Sequence, residues 1–225
     1  MEARSATLAA WVAAIAAIVA VPLAVASLVY TIWTERAANE EDLVVSVTRA
    51  FNDYATQLQA WTSTTGTVSV YWDVLVSNNG RQDVSLVGYE LLQVSDATVH
   101  STYTDMDQGL YSSSLGPADL PVVIPAGNSK RFYLRAGLLM DPVAYRMAKD
   151  AFPEGSVDSV VGLTNYLYSR GMDSYGNAVE SPVPGMFTVP AEGRREQTFL
   201  VTLSTARGTR VSDIVSWYAY SGLGE

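Results

Sequence analysis

The chain contains no cysteine and a single histidine, His100, and these two shortages remove whole classes of chemistry. Without cysteine there is no disulfide framework, no thiol nucleophile and no thiolate metal site. One imidazole excludes metal sites built on two histidines, and a Ser-His-Asp hydrolase would have to assemble around His100. That residue lies in DATVHSTYTD, Asp96 to Asp105, a polar stretch with no nucleophile-elbow pattern beside it, and reads as a solvated or hydrogen-bonded loop residue. Neither a P-loop nor a G-x-G-x-x-G fingerprint is present. No cofactor is expected.

Positive charge is scarce too. Lysine occurs only at Lys130 and Lys149, and Asp plus Glu outnumber Lys plus Arg by 23 to 14, a net charge of -9. Because Glu2 and Arg4 cancel, the whole excess lies beyond the N-terminal segment. Nucleic-acid binding draws on Lys and Arg to displace counterions from phosphates, so a nucleic-acid partner is not expected. Abundant arginine and alanine beside scarce lysine fit a GC-rich bacterial source.

The longest absence is of charge itself, between Arg4 and Glu35. At about 1.5 Å rise per residue, a helix of this length exceeds the roughly 20 residues that cross a bilayer core. Trp11 stands near one end and Tyr30 and Trp33 near the other, where amphipathic rings favour headgroups. The rival reading is a signal peptide, because Ala24-Val25-Ala26 matches the A-x-A cleavage pattern and would release a chain starting at Ser27. The apolar run is longer than a usual signal core, continues through Trp33 and follows only one arginine. A transmembrane anchor over residues 1–34 is therefore expected, with the lipid bilayer as its partner. Arg4 and the terminal amine, set against Arg36, place the C-terminal domain outside the cytoplasm. The alternatives are secretion after cleavage near Ala26 and a cytoplasm-facing domain.

Residues 35–42 read as a juxtamembrane linker, and residues 43–225 as one domain dominated by period-two alternation. Strands are expected at Leu43 to Thr48, Val68 to Val76, Val84 to Val94, Pro121 to Ile124, Lys130 to Leu139, Thr198 to Thr205 and Thr209 to Tyr220. In the turn Ser77 to Gly80, Asn and Gly are expected to accept positive φ. Phe51 to Trp61 stays open between helix and strand. Asp141-Pro142 predicts an N-cap and first helical residue, with Pro153 as the stop; Ser156 is expected to cap a second helix running to Gly171. Together these make Asp141 to Gly185 a helical insertion, removable without unfolding the rest.

VYWDVLVSNNGRQDVSLVGYELL, Val70 to Leu92, resembles the strand-turn-strand signature of bacterial immunoglobulin-like modules, and VIPAGNSKRFYLRAG, Val123 to Gly137, looks like their later P-x-G turn and strand. The likeness implies a mainly β, immunoglobulin-like antiparallel β-sandwich. It also implies adhesion, spacing or partner binding over catalysis.

Among residues that carry chemistry, Asp105, Asp107 and Gly109 have the spacing that opens a calcium loop. The further oxygen ligands such a loop needs are missing, so no metal site is expected. A hydrolase would have to use carboxylates such as Asp105, Asp107 or Asp173. Trp72, Phe132 and Trp217 are expected in the core, leaving Tyr166, Tyr168 and Tyr175 as the surface for a protein partner. The functional expectation is a membrane-anchored, non-enzymatic binding or scaffold protein of the bacterial cell envelope.

Overall fold

Residues 23, 25–35, 41–50, 55–95, 99–101, 106–183, 186–190 and 194–217 are described by the computed structural model of the chain. Residues 25–35 are helical and are called α1. No helix among the described residues is long and apolar enough to cross a membrane, and the earlier part of the expected anchor lies outside them.

The alternation of Val68, Val70, Trp72, Val74 and Val76 produces the longest strand, β3 (Gly66–Asn78), with all five side chains buried on one face. β3 is the axis of a six-stranded antiparallel sheet. On one side it pairs β8 (Ser129–Leu139), which pairs β6 (Asp107–Ser112). On the other side it pairs β1 (Leu43–Arg49) along its C-terminal half and β2 (Thr56–Ala60) along its N-terminal end; β2 pairs the short β9 (Ser156–Val157). A five-stranded antiparallel sheet runs β13 (Arg210–Trp217), β12 (Gln197–Thr205), β4 (Val84–Ser95), with β5 (Val99–Ser101) and β7 (Val122–Ile124) on the far edge of β4. A separate hairpin joins β10 (Glu180–Val183) to β11 (Met186–Thr188).

The two larger sheets share one core. Trp72 of β3 meets Trp217 of β13 edge to face at 5.3 Å and Phe199 of β12 at 6.0 Å. β1 and β13, each at the rim of its sheet, lie side by side, and the Val47 N–H donates to the Asp213 carboxylate at 2.7 Å. That bond satisfies one amide on the edge of β1. At the strand ends the Gln197 side chain bonds both the N–H and the C=O of Leu139, tying the start of β12 to the end of β8.

Between β8 and β12 stand α2 (Pro142–Ala151) and α3 (Val160–Ser169). Asp141 caps α2 as expected, accepting from the Val143 N–H at 2.8 Å. The cap of α3 is Ser159 and not Ser156, because Val157 is buried and paired with Thr56 while Ser159 accepts from the Gly162 N–H. Gly171 ends α3 at φ +82 as the sequence predicts. The helices are built into the packing of the sheets: Ala144, Tyr145, Ala148, Val160, Leu163 and Leu167 belong to the common core. Residues 56–60 of the open Phe51 to Trp61 segment form β2; Phe51 and Tyr54 lie outside the described residues.

The turn after β3 departs from expectation. Neither Asn78, Asn79 nor Gly80 adopts positive φ. Asn78 is instead buried and acts through its amide, donating to the carbonyls of Gln82 and Ile124 and accepting from the Gly80 N–H. Gly127 and Gly208, in the other two turns at this end, do take positive φ.

Candidate functional site

The residues expected to form a partner surface are drawn largely inward. Tyr168 is 4% exposed and Tyr175 5%, while Tyr166 is half-buried against the core. This corrects the placement of Tyr168 and Tyr175 on the surface. The rings are large apolar bodies, and the loop after α3 folds back under the helices instead of standing off them.

That loop is organised by Asp173, 1% exposed. Its Oδ1 accepts from the backbone N–H groups of Tyr175 and Asn177, and its Oδ2 from the Asn177 side-chain amide. Asn177 in turn bonds both the C=O and the N–H of Arg195, clamping the loop to the lead-in of β12. Gly176, at φ +77, presses so closely on Asp141 that a Cβ there would lie 2.7 Å from its carboxyl carbon. Burial pushes the Asp173 carboxyl above the usual Asp range, against the lowering effect of its hydrogen bonds. Burial, with the Asp173 charge second, likewise raises the Tyr168 and Tyr175 hydroxyls. The Tyr175 hydroxyl is fully enclosed without a partner. Arg49 stacks over Trp217 at 4.7 Å and lowers both tyrosines electrostatically, so it borders the same region. A carboxylate so completely engaged acts as a staple for the loop.

The acidic pair near β6 is divided. Asp107 accepts from the Tyr89 hydroxyl at 2.9 Å and from the Gly109 N–H, so it ties β4 to β6. Burial first, then this bond, raises the Tyr89 hydroxyl well above its ordinary value. Asp105 lies outside the described residues, and no group of three or more potential metal ligands occurs among those described. The backbone of His100 lies in β5, opposite Val94.

The outward face of the six-stranded sheet is a surface that the sequence does not single out. Strand register sets Tyr71 beside Arg135 and Asp73 beside Tyr133, and Tyr111 of β6 lies across from Tyr133. Tyr71 and Tyr111 meet edge to face at 6.1 Å, the Arg135 guanidinium lies 5.8 Å from the Tyr71 ring, and Arg131 pairs with Asp73 at 3.3 Å. Half-buried tyrosines interleaved with arginine offer rigid, amphipathic contact area of the kind enriched at protein interfaces. The signal for it is the alternating set Tyr71, Asp73, Arg131, Tyr133 and Arg135, once the opposite faces of those strands are assigned to the core.

No family model, curated protein or solved structure matches this chain.

Proposed function

We propose that this chain is a single-pass, membrane-anchored binding or scaffold protein of the bacterial cell envelope, without enzymatic activity, whose extracytoplasmic domain is an immunoglobulin-like β-sandwich. The observation that carries the reading is α1. Its large apolar side chains, Tyr30 at 66% and Trp33 at 67% exposed among them, are not packed against the domain. Its threonine hydroxyls are satisfied within the helix, Thr31 bonding the Ser27 carbonyl and Thr34 the Tyr30 carbonyl. An apolar helix turned outward in this way needs an apolar surrounding, and the uncharged run from Ser5 to Thr34 is long enough to find one in a bilayer.

A domain whose carboxylates Asp173, Asp107 and Asp213 are all engaged in structural hydrogen bonds supports binding over hydrolysis. The partner is a protein, met by the Tyr71, Tyr111, Tyr133 and Arg135 face. Flotation of full-length mass with membranes, together with digestion of the domain by protease added to intact cells, is the expected result. A soluble chain beginning at Ser27 would replace the anchor by a cleaved signal, and protection from protease would move the domain inside. A photo-crosslinking residue in place of Tyr133 should then yield a discrete adduct in cells, and one in place of Ser63 should not.

A further inference from the structure

We propose that the Arg135 guanidinium anchors the partner through a carboxylate, so that the protein met by the tyrosine face brings an acidic side chain to it; this inference rests on the reading of that face as the partner surface. Arg135 stands on β8 opposite Tyr71 and is half-buried. Its Nε is enclosed and has no hydrogen-bond acceptor, and no carboxylate among the described residues forms an ion pair with it. Asp73 stands opposite Tyr133, with Arg131 two residues to one side on β8 and Arg135 two residues to the other, and it pairs with Arg131 at 3.3 Å.

The polar groups beside Arg135 offer it nothing. The Gln108 amide, at both Oε1 and Nε2, and the Ser69 hydroxyl are enclosed without partners. Ser69 lies opposite Gly137, and Gln108 Nε2 comes within 3.2 Å of where a Cβ on that glycine would stand, so both groups sit two residues along β8 from Arg135. An acceptor for the guanidinium must therefore come from outside the domain.

The cation is also held in place before any partner arrives. It lies 5.8 Å from the Tyr71 ring, Tyr71 meets Tyr111 edge to face at 6.1 Å, and the Tyr111 hydroxyl donates to the Gln108 carbonyl at 3.1 Å. Such prior fixing lowers the entropy lost on binding. A partner that covers this face strips water from Arg135, and an apolar or basic contact could not offset that cost. A carboxylate can, because a guanidinium fork matches its two oxygens.

Charge selects the same occupant. Strand register leaves Asp73, Arg131 and Arg135 as the only charged residues on the outward face of β1, β3 and β8. Asp107 of β6, opposite the buried Ala136, turns to the Tyr89 hydroxyl of the other sheet. With Arg131 and Asp73 paired, the face carries one uncompensated positive charge in a chain whose net charge is -9.

The full chain with a photo-crosslinking residue in place of Tyr133 supplies the test. In the native background its adduct, digested and sequenced by mass spectrometry, should map to a partner segment that contains Asp or Glu. Arg135→Gln should lower the adduct yield about tenfold, as loss of a charge-assisted pair requires, and Arg135→Glu should abolish it. Reversing the mapped acid to Arg in the partner should restore the adduct to the Arg135→Glu chain, which a misfolded variant could not achieve. Undiminished yield in both Arg135 variants, an adduct mapped to a segment without an acid, or a loss that the reversal does not recover overturns the carboxylate pairing and leaves the tyrosine face as the partner surface. Absence of any adduct at position 133 in the native background overturns that surface and the pairing with it.

Discussion

Trp72 packs against two rings from the opposing sheet and has no solvent exposure, so it bears more of the sheet-to-sheet contact than its neighbouring valines. Its indole N–H has no acceptor. Trp72→Ala should therefore cost about 3–5 kcal/mol, read as a lowered urea midpoint, while Trp72→Phe, which deletes the unmatched N–H together with one ring, should cost less. Asp173 makes a prediction in pH. Its carboxyl is harder to ionise folded than unfolded, so between its ordinary value of 3.8 and its raised folded value the native state holds more proton than the unfolded chain. Stability attributable to this group must fall as pH rises through that window and level off above it. Asp173→Asn removes the slope. It also sets an amide N–H against the Asn177 amide donor, or leaves one of the backbone donors unmatched, and should lower stability by about 1–3 kcal/mol. Chemical denaturation of both proteins at several pH values from about 4 to 7 measures the slope and the offset together.

At the scale of elements, the N-terminal half of β3 is buried on both faces, since Thr67 and Ser69 are as enclosed as Val68 and Val70. The helices cover that end, α2 and α3 both touching β3. Gly66 is where the approach is closest: a Cβ there would run into the Tyr145 ring of α2 and lie 2.5 Å from the Gln59 carbonyl. Gly66→Ala should displace α2 and lower the melting temperature by several degrees, and Tyr145→Ala in the same chain should recover only part, because the Gln59 backbone cannot withdraw as a side chain can. Thermal unfolding of the two variants decides it. Elements of this kind are unevenly legible. Both helices can be read from Asp141-Pro142 and Gly171, whose capping roles are local. β9 cannot, because Ser156 has the chemistry of a cap and only the pairing of Val157 with Thr56 makes it a strand. β6 reads as an acidic turn, since Asp107 and Gly109 are turn formers by themselves and are held in a strand by β8 and by the Tyr89 hydroxyl.

For the whole molecule, the decisive fact is that one core serves both sheets and both helices. Removing residues 141–185 would strip Tyr145, Val160, Leu163 and Leu167 from it and cut the Asn177 clamp on Arg195. At about 1.5–3 kcal/mol for each large apolar side chain, that loss is comparable with the entire stability of an ordinary domain. The deletion should abolish cooperative unfolding and raise binding of a hydrophobic dye, in contrast to the detachable insertion that the sequence suggests. A deletion variant that still melts cooperatively would show that the two sheets suffice.

Alternation along Val68 to Val76 and Thr198 to Thr205, the caps at Asp141 and Gly171, and the long uncharged N-terminal run are properties of neighbours in the chain, and sequence alone determined the mainly β class and most strand positions from them. The tertiary structure decided which polar and aromatic residues go inside. Tyr168 and Tyr175 read as surface because added helices and loops on a scaffold usually carry binding, yet Tyr168 lies on a buried side of α3 and Asp173 holds the loop that bears Tyr175 inward. Asn78 reads as a backbone turn former, yet its side chain bonds the carbonyl of Ile124, the end of β7 more than forty positions away. Burial is set by what packs on a residue from distant parts of the chain, and local pattern carries no record of that.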